Sequence, residues 1–116
     1  MQQVKTAEQF RELTASEGLT VAVYKADWCG DCKFIDPFMP EVEQEYADRL
    51  KLIQIDVEEL EEISREQNVL GIPSFIAYSN GKELIRFVNK LRKSRQEIED
   101  FLNKAIAVNE TLKAQS

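Results

Sequence analysis

The alternation of helical and strand patterns along this chain predicts an α/β domain: a mixed sheet with helices on both faces. Three observations carry that reading. A strand pattern at residues 19–26, a helix pattern at 33–49 and a second strand pattern at 50–57 form a βαβ unit, which requires a parallel pair with a right-handed crossover. Asn80-Gly81 joins two further strand patterns, and this dipeptide is the strongest short signal for an antiparallel hairpin. The chain has 116 residues, 43% of them hydrophobic. That supports a single core, since two domains of half this size would each bury too little.

The elements follow in order. A short strand is expected near residues 3–5. Thr6-Ala7-Glu8-Gln9 reads as a capping box that opens a helix over 7–16, with Phe10 and Leu13 on one face and Gly18 as its stop. Residues 19–26 (LTVAVYKA) are apolar and β-branched, as in a strand covered on both sides. In 33–49, Phe34, Phe38, Val42 and Tyr46 recur every four residues, with Pro37 and Pro40 inside the pattern. This predicts one long bent helix whose first turn carries the cysteines. Residues 50–57 alternate as a strand, and 58–67 form a charged helix with Leu60 and Ile63 inward. Leu70-Gly71-Ile72-Pro73 is punctuation between that helix and the hairpin strands 74–79 and 82–88. Ser94-Arg95-Gln96-Glu97 is a second capping box, opening a helix that buries Ile98, Phe101, Leu102, Ala105 and Ile106. The domain is expected to span residues 1–108, with 109–116 a frayed polar tail.

Composition excludes several functions. The chain contains no histidine, which removes Ser-His-Asp catalysis and His-ligated metals. A net charge of −6 argues against nucleic-acid binding through a basic footprint. The first ten residues hold no apolar signal segment, and no apolar run approaches the roughly 20 residues that span a bilayer. A cytoplasmic protein is expected, in which two neighbouring cysteines signal redox or metal chemistry more often than a structural bridge.

Trp28-Cys29-Gly30-Asp31-Cys32 is the most informative stretch. Two cysteines separated by two residues on a first helical turn can close a small disulfide ring. Cys29 at the helix start faces unpaired backbone N–H groups, which favour its thiolate and lower its pKa. Cys32, one turn on, is expected to be more buried. Cys29 is therefore the exposed nucleophile and Cys32 the resolving thiol. Gly30 allows a substrate backbone to approach. Two other readings stay open: half of a zinc site completed in a dimer, since a closed site needs four ligands, and two inert buried thiols.

Over residues 4–107 the chain resembles the thioredoxin family. Ala26-Asp27-Trp28-Cys29-Gly30-Asp31-Cys32-Lys33 is similar to its active-site segment, Pro37 to its helix-kinking proline, and Glu45-Tyr46 to the end of that helix. Asp56 resembles its acid after the next strand, Gly71-Ile72-Pro73-Ser74 its cis-proline loop, and Asn80-Gly81-Lys82 its hairpin turn. The resemblance implies a three-layer α/β/α sandwich around a central mixed sheet. It also implies a Cys29–Cys32 redox disulfide, a cis Ile72–Pro73 bond with Ile72 pairing its backbone to substrate, and Trp28 sheltering the dithiol and lining the groove. The activity implied is protein-disulfide reduction in cell redox homeostasis. Disulfide-containing proteins would be the substrates, and thioredoxin reductase or another thiol donor would restore the dithiol. A monomer without bound cofactor or metal is expected.

The chain departs from the family pattern at four positions. Asp31 replaces a proline between the cysteines; it competes with the Cys29 thiolate for the helix field and implies a narrower partner set. Val23 stands where the family has a buried aspartate that takes the resolving cysteine's proton, so resolution should be slower. Lys25 replaces an aromatic residue, and with Lys33 it is a candidate to stabilise the Cys29 thiolate and offset Asp31. Asn89 replaces a groove glycine. Residues 82–95 are base-rich and could steer an acidic partner. Besides a general reductase, a specialised oxidoreductase and a nonredox interaction module on the same fold remain as readings.

Overall fold

The central strands are covered on both sides, and this decides the layering. The computed structural model describes residues 1–115. Its sheet has the order β1-β3-β2-β4-β5. β1 (Gln2–Gln3) and β2 (Thr20–Lys25) run parallel to β3 (Lys51–Asp56). β4 (Ser74–Ser79) is antiparallel to β2, and β5 (Lys82–Phe87) is antiparallel to β4. In β2, alternate residues serve opposite cores, as a period of two demands. Val21 and Val23 join Ile35, Met39, Val42, Ile98 and Leu102 on one face. Ala22 and Tyr24 join Phe10, Ile53, Ile55 and Ile63 on the other. Asn80 and Gly81 both have positive φ, as the hairpin dipeptide predicts.

Four boundaries differ from expectation. α1 (Ala7–Thr14) stops short of residue 16 because the hairpin tip takes over its last carbonyls: Gly81 N–H donates to Thr14 O at 2.9 Å and Asn80 N–H to Ser16 O at 2.8 Å. The expected long bent helix is two helices, α2 (Gly30–Ile35) and α3 (Met39–Tyr46). Pro37 has no N–H to continue α2, and Pro40 occupies the first turn of α3, where a missing donor costs nothing. α4 covers only Glu61–Glu66, because the Asp56 carboxylate accepts from Glu58 N–H at 2.8 Å and Glu59 N–H at 3.1 Å and holds the preceding segment as a turn. α5 (Arg95–Ala114) opens with the Ser94/Glu97 capping box and continues through the region expected to fray. Asn109 is buried on its inner face, so the polar sequence there still docks; Ser116 lies outside the described residues.

Arg86 on β5 ties the sheet edge to the end of α4. It donates to Gln67 O at 2.9 Å, Asn68 O at 3.3 Å and the Glu83 carboxylate at 2.7 Å. The Arg86 hydrogen bond holds the Glu83 carboxyl below its ordinary value, against an opposing desolvation effect. A depressed folded value means the pair stabilises the fold above the unfolded carboxyl's pKa and loses that stabilisation as pH falls through the folded one. Both side chains are about one-third exposed, so the contribution is about 0.5 kcal/mol. Glu83→Gln is expected to lower stability by that amount in urea titrations at pH 6 and by less at pH 3. An equal deficit at both values would show that the carboxylate charge is not what matters.

Candidate active site

The dithiol sits where β2 hands the chain to α2. Cys29 is the N-cap of α2 in extended backbone conformation, and its Sγ accepts the Cys32 N–H at 3.1 Å. The two sulfurs are joined in a disulfide, with Cα atoms 5.2 Å apart. Cys32 is 1% exposed and Cys29 only 5%. The expected exposed nucleophile is therefore corrected for this oxidised state. The cap geometry turns the Cys29 sulfur inward, where Ala26, Val57 and Ile72 pack around the pair. Trp28 is 67% exposed, so it neither shelters the sulfurs by enclosure nor belongs to the core. Gly30 is exposed, and a Cβ there would meet nothing within 4 Å.

One loop walls the disulfide and a second braces it. The first carries the cis Ile72–Pro73 peptide, with Pro73 buried and the Ile72 carbonyl oxygen 3.8 Å from Cys29 Sγ. Ser74 Oγ donates to Gly71 O inside it. The second, residues 88–94, packs directly onto the first: a Cβ on Gly71 would lie 2.4 Å from Asn89 O. Lys93 organises this second loop from within. It is fully buried, and its ammonium donates to Asn89 Oδ1 and Leu91 O, both at 3.0 Å, and lies 5.0 Å from the centre of the Phe87 ring. Burial pushes its pKa down, while Glu97 and Asp31 pull the other way.

The other candidates from the sequence are distributed unevenly. Asp31 accepts from Arg92 Nε at 3.0 Å. The Arg92 guanidinium also lies 4.4 Å above the Phe34 ring. Arg92 and Lys93 were signalled only by the base-rich stretch that holds them, and Phe34 only as a position in a helix pattern. Lys25 is ion-paired with Asp36, and with exposed Lys33 it lines a polar cleft of about 180 Å³ alongside Asp27, Gln54 and Asp56. The charge at Asp31 is thus met by Arg92 rather than by the lysines expected to offset it. Val23 is fully buried among apolar side chains, which leaves no carboxylate at that place in β2.

A family model described as Thioredoxin matches residues 1–104. The chain belongs to the thioredoxin family. Thioredoxin of Bacillus subtilis is 34% identical over 101 residues, covering 87% of this chain and 95% of that protein. Thioredoxin-1 of Saccharomyces cerevisiae is 36% identical over 86 residues, covering 74% and 82%. Among solved structures, thioredoxin from Trypanosoma brucei brucei aligns with a TM-score of 0.73 at 32% identity, over 87% of this chain and 89% of that one. Plasmodium falciparum thioredoxin aligns at 0.81 and 25% identity, over 90% and 98%. Family membership and the Cys29–Cys32 pair make this thioredoxin-family protein a thiol–disulfide oxidoreductase with protein-disulfide reductase activity. Among the described residues no helix is long and apolar enough to cross a membrane.

Proposed function

We propose that Cys29 is the attacking sulfur, Cys32 the resolving one, and that the protein reduces disulfide-containing proteins in the cytoplasm as a monomer. In the reduced state the Cys29 thiolate attacks one substrate sulfur, forming a mixed disulfide and releasing the other as a thiolate. The Cys32 thiolate then attacks Cys29 Sγ, the second substrate sulfur leaves as a thiolate, and Cys29–Cys32 closes. Two electrons have passed to the substrate, whose thiolates take protons from solvent. The observation that carries the assignment is the Cys32 N–H donated to Cys29 Sγ at 3.1 Å. A hydrogen bond to a sulfur is worth most when that sulfur is charged. The same bond places the resolving residue one turn from the atom it must attack. The cis Ile72–Pro73 loop offers backbone groups beside the sulfur for an extended substrate segment. With valine at position 23, β2 offers no carboxylate to take the proton of Cys32, so resolution is slow for the family.

Regeneration by thioredoxin reductase, or by another thiol donor, completes the cycle. The test is insulin reduction driven by NADPH and thioredoxin reductase, with dithiothreitol as the alternative donor. NADPH consumption and B-chain precipitation are expected, and neither for Cys29→Ser. Precipitation with dithiothreitol alone would point to a different physiological donor. No acceleration with either would overturn the reductase reading.

A further inference from the structure

We propose that Arg92 is a docking group for a substrate carboxylate beside the disulfide, held ready by Asp31 and Phe34, so that the favoured substrates are disulfides flanked by an acidic residue. The inference rests on the reductase reading above. Asp31 lies between the two cysteines, and its hydrogen bond at 3.0 Å holds the Arg92 guanidinium against the helical turn that carries the pair. Arg92 is still 60% exposed there. Only Nε is engaged; its two Nη groups find no acceptor among the described residues, which leaves the end-on fork open for a bidentate carboxylate. The Phe34 ring supports the guanidinium from one side, its centre 4.4 Å from Arg92 Cζ. The Arg92 backbone is held as well, because buried Lys93 and the contact between Asn89 and Gly71 anchor residues 89–93. Binding by a preset fork loses little rotamer freedom, and this separates Arg92 from an ordinary mobile surface cation.

The surrounding charge works against the preference at long range. The chain carries −6 overall, Asp27 precedes the cysteines and Asp31 lies between them. Discrimination must therefore come from contact, and at 0.15 M salt the Debye length of about 8 Å screens distant carboxylates more than a touching pair.

The experiment uses three synthetic peptides, each closed by one internal disulfide and differing only in Glu, Gln or Lys next to the first cysteine. Reduction by the full-length protein is followed at 0.15 M NaCl with dithiothreitol held below its own background rate. The Glu peptide is expected to show a KM about 2- to 5-fold below the Gln peptide, the range of a partly exposed charge-assisted contact. The Lys peptide should be poorest, with kcat changing little across the three. Arg92→Gln should collapse the Glu-to-Gln ratio to about one, and Arg92→Lys should restore part of it. Lys104→Gln, which removes the same charge from the surface of α5, should keep it. Equal KM values for Glu and Gln peptides, or a preference that survives Arg92→Gln, would overturn the proposal. Failure to reduce any of the three would overturn the reductase reading and this inference with it.

Discussion

Replacing Cys32 by serine is expected to leave a protein that captures one disulfide and cannot let it go. The serine Oγ is smaller than sulfur and neutral near pH 7, so it cannot displace the substrate from Cys29. The capturing half of the site is untouched in kind. The hydrogen bond at 3.1 Å comes from the backbone N–H of residue 32, which serine retains. The contacts of Cys29 with Ala26, Val57 and Ile72 also remain. Turnover of insulin should fall to no more than about one disulfide per protein molecule. A non-reducing gel should show an adduct that dithiothreitol dissolves. Cys29→Ser should give neither turnover nor adduct, because Cys32 is 1% exposed and its own amide points away toward residue 29. An adduct formed through Cys32 would reverse the two roles, and sustained turnover by the serine variant would remove the resolving step.

What could be read ahead of the structure was local. The apolar runs of β2 and β4 were legible because strands covered on both faces need no polar alternation. The two capping boxes and Asn80-Gly81 were legible because each is a hydrogen-bond or dihedral requirement met within four residues. The cysteines announced themselves by spacing and by the strand before them. The details that failed depend on residues far apart in the chain. Cys29 is buried because Ile72 arrives from 43 positions away, which its own neighbourhood does not record. The base-rich stretch 82–95 looked like a solvated face able to steer an acidic partner. Three of its six cations are ion-paired: Arg86 with Glu83, Arg92 through Nε alone with Asp31, and Arg95 with Glu41, Glu45 and Glu99. Lys93 is inside the protein altogether, bonded to carbonyls of its own loop. Charge composition counts these groups but cannot tell a solvated cation from one committed to a fold.

Gly71→Ala is expected to be the most damaging single-methyl change near the site. In the sequence this glycine looks like turn punctuation before Ile72-Pro73. In the fold its φ makes no special demand; what excludes a side chain is the neighbouring backbone. A Cβ would stand 2.4 Å from Asn89 O, 2.6 Å from its carbonyl carbon and 3.0 Å from Lys90 N. None of these atoms can rotate aside as a side chain would, so one loop must move off the other. The loop that carries Asn89 cannot shift alone, because Lys93 is buried beneath it and bonded to Asn89 and Leu91. Overpacking of a rigid contact costs about 3 kcal/mol, the upper part of its usual range. For a domain of this size that corresponds to a fall in Tm of roughly 10 °C or more. The first loop is a wall of the disulfide and the second braces it, so the loss should extend to function. A folded fraction of Gly71→Ala, measured well below its Tm, should reduce insulin more slowly than wild type. The Gln peptide should be affected as well as the Glu peptide, since both must pass the cis-proline loop. Serine at position 71 should fare no better, because its Cβ meets the same atoms. A Tm within about 2 °C of wild type, a shift corresponding to well under 1 kcal/mol, would mean that the contact between Gly71 and Asn89 yields easily and that the two loops are not held in register by it.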